Sequence, residues 1–205
     1  MDDYSNQSPL VYIVDDDEAV RDGLSMLLSS VGLRSEGFGD PQAFLAQGHQ
    51  YAIGCLVLDI RMPSISGLQV LEQVVAHSDL PTIILTGHAN VDLCRRAFKT
   101  GAVEFLQKPV DDDVFLDAVQ AAVRQHIASR EKLAATLEAT ERLGTLSGRE
   151  EEVLRRVVEG ISNKQIAREL GLSPRTVETY RANVFTKLEA QSLAQLIRQY
   201  AALLA

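Results

Sequence analysis

The sequence has few of the features that mark secreted or membrane proteins. It contains two cysteines, Cys55 and Cys94, among 205 residues, which is too few for the disulfide framework of a small secreted domain. Its uninterrupted apolar stretches, such as Cys55–Leu58, fall far short of the ~18 residues that a membrane span needs. The polar, acidic residues 1–8 lack the basic segment of a secretory signal and are expected to be disordered. We therefore predict a cytoplasmic protein with no membrane association.

Motifs of several enzyme and metal-binding classes are also missing. The sequence contains no glycine-rich phosphate loop with either the nucleotide or the dinucleotide spacing. None of its four histidines has a partner at the spacing of zinc ligands; they are His49, His77, His88 and His126. A nucleotide-dependent enzyme and a zinc protein are therefore not expected. His88 is either a solvated loop residue or a residue at the mouth of the acidic site described below.

Basic charge is scarce in the first part of the chain but not in the second. Residues 1–125 carry 8 Lys+Arg against 18 Asp+Glu, a balance of −10. Residues 126–205 carry 12 Lys+Arg against 10 Asp+Glu, a balance of +2. The overall net charge of −8 therefore describes neither part. An acidic front and a mildly basic back predict two domains with different partners.

The front part alternates short apolar runs with helical patterns. The predicted strands are Leu10–Val14, Arg34–Phe38, Cys55–Asp59, Thr82–Leu85 and Val103–Leu106. The predicted helices span residues 20–31, 41–47, 68–77, 91–99 and 113–123. This alternation predicts a doubly wound α/β fold, in which a five-stranded parallel sheet is covered on both faces. In such sheets ligands bind beyond the carboxyl ends of the strands.

Polar residues stand at the carboxyl ends of these predicted strands. Asp15 and Asp16 end the first strand, Asp59 ends the third, Thr86 ends the fourth, and Lys108 follows the fifth. Clustered carboxylates repel one another unless a cation lies among them, and oxygen ligands favour Mg²⁺. A carboxylate can also accept a phosphoryl group, whose oxygens a lysine and a hydroxyl could hold. The alternative is that the acids are helix caps and turn residues. Because every group stands at a strand end, we favour one shared site.

Four motifs in this part resemble the receiver domain of response regulators, over residues 9–125. They are VDDDE at Val14–Glu18, LDIRMPSISG at Leu58–Gly67, TGH at Thr86–His88 and KP at Lys108–Pro109. The resemblance implies a flavodoxin-like fold, Mg²⁺ as the cofactor and a sensor histidine kinase as the partner. It further implies phosphorylation of Asp59, metal binding by Asp15, Asp16, Asp59 and the main-chain carbonyl of Arg61, phosphoryl contacts from Thr86 and Lys108, and an aromatic switch at Phe105. The acidic pair of the family follows the strand directly, so Asp17 is left to cap the first helix.

The back part of the chain is predicted to be entirely helical. Residues 126–142 contain no helix breaker, and we interpret them as a helical linker. A spacer is favoured over a coiled coil because Glu141 interrupts the heptad pattern. Four short helices follow, marked by caps at Ser147, Ser162 and Ser173 and by an apolar stripe at Leu193–Leu204.

The second and third of these short helices form a predicted helix-turn-helix, a unit whose second helix normally enters the major groove of DNA. Residues 161–187 carry five basic residues against two acids, a surplus that phosphate contacts require. The candidate DNA contacts are Lys164, Arg175, Thr176, Glu178, Thr179, Arg181, Asn183 and Lys187. Glu178 would either accept a hydrogen bond from cytosine N4 or pair with a neighbouring arginine.

A longer motif in the same segment resembles the LuxR-type DNA-binding domain, over residues 143–205. It comprises LSGREEEVL at Leu146–Leu154 and SNKQIARELGLSPRTVETYRANVFTKL at Ser162–Leu188. With a receiver in front, the chain resembles the FixJ/NarL family of response regulators, and the FixJ branch in particular. The resemblance implies that phosphorylation promotes homodimerisation and binding to promoter DNA, with RNA polymerase as a further candidate partner. No turnover of a small molecule is expected.

Two other classes of function are alternatives. A phosphatase or phosphotransferase with Asp59 as its nucleophile would usually have a second carboxylate two residues on, where this chain has Arg61. An interaction module would keep the receiver but bind protein or RNA with its helical tail. A shift of promoter DNA in a gel, with and without phosphorylation, distinguishes these alternatives from a transcription regulator.

Overall fold

The computed structural model describes residues 8–48 and 52–204. The chain divides into two compact units, Met1–Arg130 and Glu131–Ala205. The segment 1–8 that was predicted to be disordered lies outside the described residues except for Ser8, and His49 lies outside them as well. Within the described residues, no helix combines the length and the apolar character that crossing a membrane demands.

The first unit is a parallel α/β sheet, as the sequence predicts. Its strands are β1 (Leu10–Val14), β2 (Arg34–Phe38), β3 (Gly54–Leu58), β4 (Thr82–Thr86) and β5 (Glu104–Gln107). Its helices are α1 (Glu18–Ser30), α2 (Pro41–Leu45), α3 (Gly67–His77), α4 (Val91–Thr100) and α5 (Asp112–Leu143). All neighbouring strands pair in parallel, in the order β2-β1-β3-β4-β5. This architecture confirms the predicted fold class.

The sheet has an apolar core on each face, because successive side chains of a strand point to opposite faces. On one face Tyr12 and Val14 of β1 join the cluster that includes Leu71 of α3. On the other face Val11 and Ile13 join the cluster that includes Phe115 of α5. The central strands β3 and β4 are buried along their whole length, which explains why their sequences are continuous apolar runs rather than alternating ones.

The predicted bounds differ from the observed ones mainly at helix ends. The prediction for α2 ran two residues too far, since the helix ends at Leu45. The predicted linker is helical as expected, and the last predicted helix of the front part continues through it as α5, which ends at Leu143. Asp17 caps α1, where its side chain accepts a hydrogen bond of 2.9 Å from the Ala19 N–H. The role predicted for this third acid is therefore confirmed.

The second unit is all helical. It contains α6 (Gly148–Val158), α7 (Asn163–Leu170), α8 (Pro174–Lys187) and α9 (Leu193–Leu204). The predicted caps are observed at Ser147, Ser162 and Ser173, and Gly171 turns the chain between α7 and α8 with a φ of 65°, a conformation that favours glycine. The buried Ala139 and the partly buried Leu143 of α5 pack into the core of this unit. The last turns of the predicted linker thus contribute to the packing of the second unit.

Candidate functional site

Three carboxylates meet at the carboxyl end of the sheet. Strands β1 and β3 are neighbours with Val14 opposite Leu58, so the residues that follow, Asp15 and Asp59, emerge side by side. Carboxylate oxygens of Asp15, Asp16 and Asp59 lie within 4.8 Å of one another. Asp15 and Asp59 are buried, whereas Asp16 is exposed. The parallel sheet therefore brings together the acids that the sequence placed at separate strand ends.

Lys108 brings a positive charge into this cluster from β5. Its ammonium group donates a hydrogen bond to Oδ2 of Asp15 and lies 4.0 Å from Oδ2 of Asp59. The other oxygen of Asp59, Oδ1, accepts a hydrogen bond of 2.8 Å from the Ile60 N–H. The Oδ2 atom of Asp59 is thus the oxygen that faces the cationic side of the pocket.

The other residues that the resemblance implies for this site are Thr86, Arg61 and Phe105. Thr86 is fully buried at the end of β4, where its hydroxyl accepts a hydrogen bond of 3.4 Å from the His88 N–H. Arg61 is exposed and, with Asp16, lines an open cavity of about 530 Å³. Phe105 is partly buried and lines a different cavity, of about 540 Å³, beside α4. The aromatic ring thus lies at the edge of the α4–β5 surface.

The acidic cluster has the chemistry of a site for a hard divalent cation. Its carboxylates offer only oxygen atoms, the ligands that Mg²⁺ prefers, and their close approach is unfavourable without a cation. Burial raises the pKa of the Asp15 carboxyl above its ordinary value, although the Lys108 ammonium opposes this rise. The residues present therefore fit Mg²⁺, which would be held by the three carboxylates and the main-chain carbonyl of Arg61.

The helix-turn-helix of the second unit presents most of the candidate DNA contacts to solvent. Val177, Val184 and Leu188 of the α8 segment are buried and Tyr180 is partly buried, so these residues form its inner face. The exposed candidates are Lys164 on α7 and Arg175, Glu178, Thr179 and Asn183 on α8. Thr176 is half-buried, and its N–H donates to the capping hydroxyl of Ser173 at 3.0 Å.

Two of the basic candidates are engaged inside the unit. The guanidinium of Arg181 donates a hydrogen bond of 2.7 Å to Oδ1 of Asn163, which ties α8 to the start of α7. The ammonium of Lys187 lies 2.7 Å from the buried carboxylate of Glu150 and donates to the Thr145 carbonyl at 3.1 Å. The Lys187 ammonium, together with Ser147, lowers the pKa of Glu150 to about 2. Lys187 therefore has a structural partner that its sequence position does not reveal.

Comparison with known proteins decides which family has this combination of units. Residues 11–120 match the response regulator receiver domain, and residues 144–200 match the bacterial regulatory proteins of the luxR family. The chain is 43% identical over 189 residues to the transcriptional regulatory protein FixJ of Bradyrhizobium diazoefficiens, with 92% of each chain covered. The chain is a LuxR-type DNA-binding response regulator.

Further relatives agree with this membership. The response regulator protein TodT of Pseudomonas putida is 38% identical over 195 residues, which cover 95% of this response regulator and 86% of TodT. The solved structure of the response regulator StyR matches with a TM-score of 0.84 and 38% identity, covering 96% of this chain and all of that one. Full-length FixJ from B. japonicum matches with a TM-score of 0.60 and 41% identity, covering 96% and 97% of the two chains.

Family membership defines the two units. The first is a receiver domain, and receiver domains generally bind Mg²⁺ at an acidic pocket such as the cluster of Asp15, Asp16 and Asp59. The second is a DNA-binding domain, so this two-component regulator has a sensor kinase and promoter DNA as its partners. The family is one of regulators rather than of enzymes.

Sequence reasoning missed contacts of Arg21 and His126 in the first unit. Arg21 of α1 donates a hydrogen bond of 2.7 Å to the main-chain carbonyl of Asp15. His126 of α5 is fully buried, with Nδ1 3.0 Å from the Gly54 carbonyl and Nε2 3.4 Å from Oδ1 of Asp79. The arginine at the end of the first turn of α1 and the buried histidine of α5 carry no motif of their own, so only the folded chain reveals these partners. Cys55 lies in the core on one face of the sheet, and burial raises the pKa of its thiol to about 12.

Proposed function

We propose that this response regulator is phosphorylated on Asp59 by a sensor histidine kinase in the cytoplasm. The observation that carries the proposal is the position of Asp59 Oδ2, a buried carboxylate oxygen that faces Lys108 across 4.0 Å and shares its pocket with Asp15 and Asp16. A nucleophilic carboxylate next to a cation can accept a phosphoryl group. The Oδ2 atom attacks phosphorus, the bond from phosphorus to the kinase histidine breaks, and its electron pair returns to the imidazole.

The groups around Asp59 each have a different role in this transfer. The Ile60 N–H holds Oδ1 and so fixes the rotation of the carboxylate. The Lys108 ammonium lies close enough to contact an oxygen of the incoming group. The Thr86 hydroxyl is proposed to contact another of these oxygens after it leaves the His88 N–H. The three carboxylates and the Arg61 carbonyl would hold Mg²⁺, which would supply charge neutralisation for the phosphoryl oxygens.

The change at Asp59 is expected to reach the α4–β5 surface through Thr86 and Phe105. Thr86 lies at the end of β4, next to β5, where Ile84 is paired with Phe105. When the Thr86 hydroxyl turns toward the phosphoryl oxygens, space opens that the Phe105 ring can enter from its position at the surface cavity. The face between Val91 and Val123 then becomes the surface through which two copies dimerise and place paired DNA-binding domains on promoter half-sites.

Incubation with Mg²⁺ and acetyl phosphate tests the phosphoacceptor directly. The mass of the wild-type protein is expected to increase by one phosphoryl group, whereas Asp59→Asn removes the nucleophilic oxygen and is expected to leave the mass unaltered. Asp117→Asn, which removes an exposed acid of α5, is the matched control and is expected to accept the group as the wild type does. An Asp59→Asn variant that is still modified in the receiver pocket would contradict the proposal.

The proposed DNA interface is the exposed side of α8 together with Lys164 of α7. Arg175 lies in the first turn of α8, the part of a recognition helix that contacts base edges. Glu178 is exposed one turn later and can accept a hydrogen bond from a cytosine amino group. Arg181 and Lys187 would contact DNA only by leaving or sharing Asn163 and Glu150. RNA polymerase is proposed as the partner that the bound dimer contacts next.

Arg175→Ala is expected to weaken promoter binding several-fold. If the arginine neutralises a phosphate, the slope of log affinity against log salt concentration is also expected to fall by about 1. Fluorescence anisotropy with labelled promoter DNA at several salt concentrations measures both quantities. Arg198→Ala, on the exposed side of α9, is the matched control. If the phosphorylated wild type bound promoter and random duplex equally, the sequence-specific interface would be wrong, and an interaction module would be the better description.

A further inference from the structure

Arg21 lies beside the acidic site without belonging to its ligand set. It stands in the first turns of α1, is half-buried, and donates from Nη1 to the main-chain carbonyl of Asp15 at 2.7 Å. This carbonyl belongs to the residue that connects β1 to the acidic loop. A permanent positive charge is therefore bonded to the backbone of the loop that carries two of the three carboxylates.

Two glycines make room for this arginine. A Cβ atom on Gly37 of β2 would lie 3.5 Å from Cδ of Arg21, and a Cβ atom on Gly39 would lie 3.2 Å from its Nη1. The side chain of Arg21 therefore extends across the end of β2 on a surface that carries no side chains. The contact at Gly39 is tight enough that a larger residue there would push the guanidinium away from the Asp15 carbonyl, whereas the contact at Gly37 is an ordinary van der Waals contact.

Asp15 is held at each of its polar groups. Its N–H donates to the Phe38 carbonyl at 3.1 Å, and its Oδ1 accepts from the Asp17 N–H at 3.1 Å. Its Oδ2 accepts from Lys108, and its main-chain carbonyl accepts from Arg21. Lys108 and Mg²⁺ would compete for the same carboxylate, whereas the Arg21 contact leaves both carboxylate oxygens available.

We propose that Arg21 is a positioning residue of the acidic site. Its bond to the Asp15 carbonyl keeps the carboxylates of Asp15 and Asp16 directed toward Asp59 against their mutual repulsion. This inference rests on the proposed binding of Mg²⁺ by the cluster. It assigns Arg21 a role in cation affinity through the backbone of the loop rather than through contact with the ion.

Loss of Arg21 is predicted to change the Mg²⁺ affinity in the direction opposite to the one that electrostatics alone would give. Removing a positive charge near a cation site makes the local potential more negative, which by itself tightens cation binding. Removing a group that orients the ligands weakens binding instead, and for such supporting groups the loss is commonly about 10-fold or more. The direction of the change in Mg²⁺ affinity therefore separates the two roles.

Calorimetric titration of the full-length protein with MgCl₂ is the direct test. Arg21→Met keeps most of the side-chain volume but removes the donor, and its dissociation constant for Mg²⁺ is expected to rise about 10-fold. Arg124→Met, at an exposed position of α5, loses the same charge and is expected to bind Mg²⁺ as the wild type does or slightly tighter. Arg21→Lys, which restores a donor, is expected to recover part of the affinity. Unchanged or tighter binding by Arg21→Met would overturn the proposal.

Two further measurements test the positioning role of Arg21 if Arg21→Met fails to fold or if the wild type binds no Mg²⁺. Gly39→Val keeps the charge of Arg21 but displaces its guanidinium, so it is also expected to weaken Mg²⁺ binding. Hydrogen exchange at the Asp17 amide without Mg²⁺ is expected to accelerate in Gly39→Val, because the displaced guanidinium no longer anchors the loop, and to accelerate less in Arg21→Lys, because the ammonium retains part of that anchor. A wild type that binds no Mg²⁺ would refute the proposed cofactor, whereas unaltered exchange in both variants would refute the positioning role of Arg21.

Discussion

Replacement of Gly67 by alanine is expected to destabilise the receiver domain by about 3 kcal/mol, because the added methyl group has nowhere to go. A Cβ atom at this position would lie 2.1 Å from the main-chain oxygen of Asp59 and 2.8 Å from Cα of Ile60. Both neighbours are backbone atoms, which cannot rotate away as the end of a flexible side chain can. The Gly67 N–H also donates to the Ile60 carbonyl at 3.0 Å, which holds the start of α3 against this loop.

Chemical denaturation of the full-length protein, followed by circular dichroism, measures this loss. Gly23→Ala is the matched control, because a Cβ atom at Gly23 would meet nothing within 4 Å and the residue lies inside α1. That variant is expected to gain about 0.5–1 kcal/mol, since alanine favours a helix interior over glycine. A Gly67→Ala variant as stable as Gly23→Ala would show that the contact between α3 and the Asp59 segment is not tight.

The close approach at Gly67 also connects stability to function. Any folded Gly67→Ala protein must have shifted Asp59 or Ile60, and the Ile60 N–H is the group that fixes the Asp59 carboxylate. Slower phosphorylation is therefore expected to accompany the lower stability, in proportion to how far the loop has moved.

The elements of the fold and the clustering of Asp15, Asp16 and Asp59 could be predicted because their causes are local. Apolar runs define β1 and β3, and the parallel sheet then places Asp15 beside Asp59 whatever the rest of the chain does. The serine caps of the second unit are likewise decided within three residues, as at Ser147 and Glu150. Patterns of this length are fully visible in the sequence.

The contacts that sequence reasoning missed depend on packing between distant segments. His126 and Gly54 are 72 positions apart, and Lys187 and Glu150 are 37 positions apart. No periodicity specifies which basic residue meets which acid, so Lys187 was predicted only as a DNA contact. For the same reason the sequence does not predict the burial of Ala139, which lies in the segment interpreted as a spacer. Such pairs emerge only when the helices have been placed against one another.

Replacement of Lys108 by methionine is expected to cost about 3 kcal/mol of stability when Mg²⁺ is withheld, because the carboxylate of Asp15 then stays buried without its partner. The Asp15 side chain is 4% exposed and pairs with the Lys108 ammonium, and the Asp59 carboxylate lies nearby. Burial already raises the pKa of Asp15, and the loss of Lys108 raises it further. The loss of stability in Lys108→Met is therefore present at pH values above the raised pKa of Asp15. It disappears as the pH falls through that pKa, because a protonated carboxyl group needs no cationic partner.

Thermal unfolding at low and high Mg²⁺ concentrations, with Lys99→Met on exposed α4 as the control, tests this expectation. Mg²⁺ is expected to stabilise Lys108→Met more than the wild type, because the ion no longer competes with an ammonium for Asp15. Equal effects of Mg²⁺ on both proteins would contradict that competition.

The double variant Asp15→Asn, Lys108→Met identifies the cause of the stability that Lys108→Met loses without Mg²⁺. Removing both members of a buried ion pair is far less costly than removing one, so the double variant is expected to recover most of the stability lost by Lys108→Met without Mg²⁺. It should also lose the additional stabilisation by Mg²⁺, since one of the three carboxylates is gone. If the double variant were no more stable than Lys108→Met, the loss would come from the packing of the lysine stem rather than from the unpaired carboxylate of Asp15.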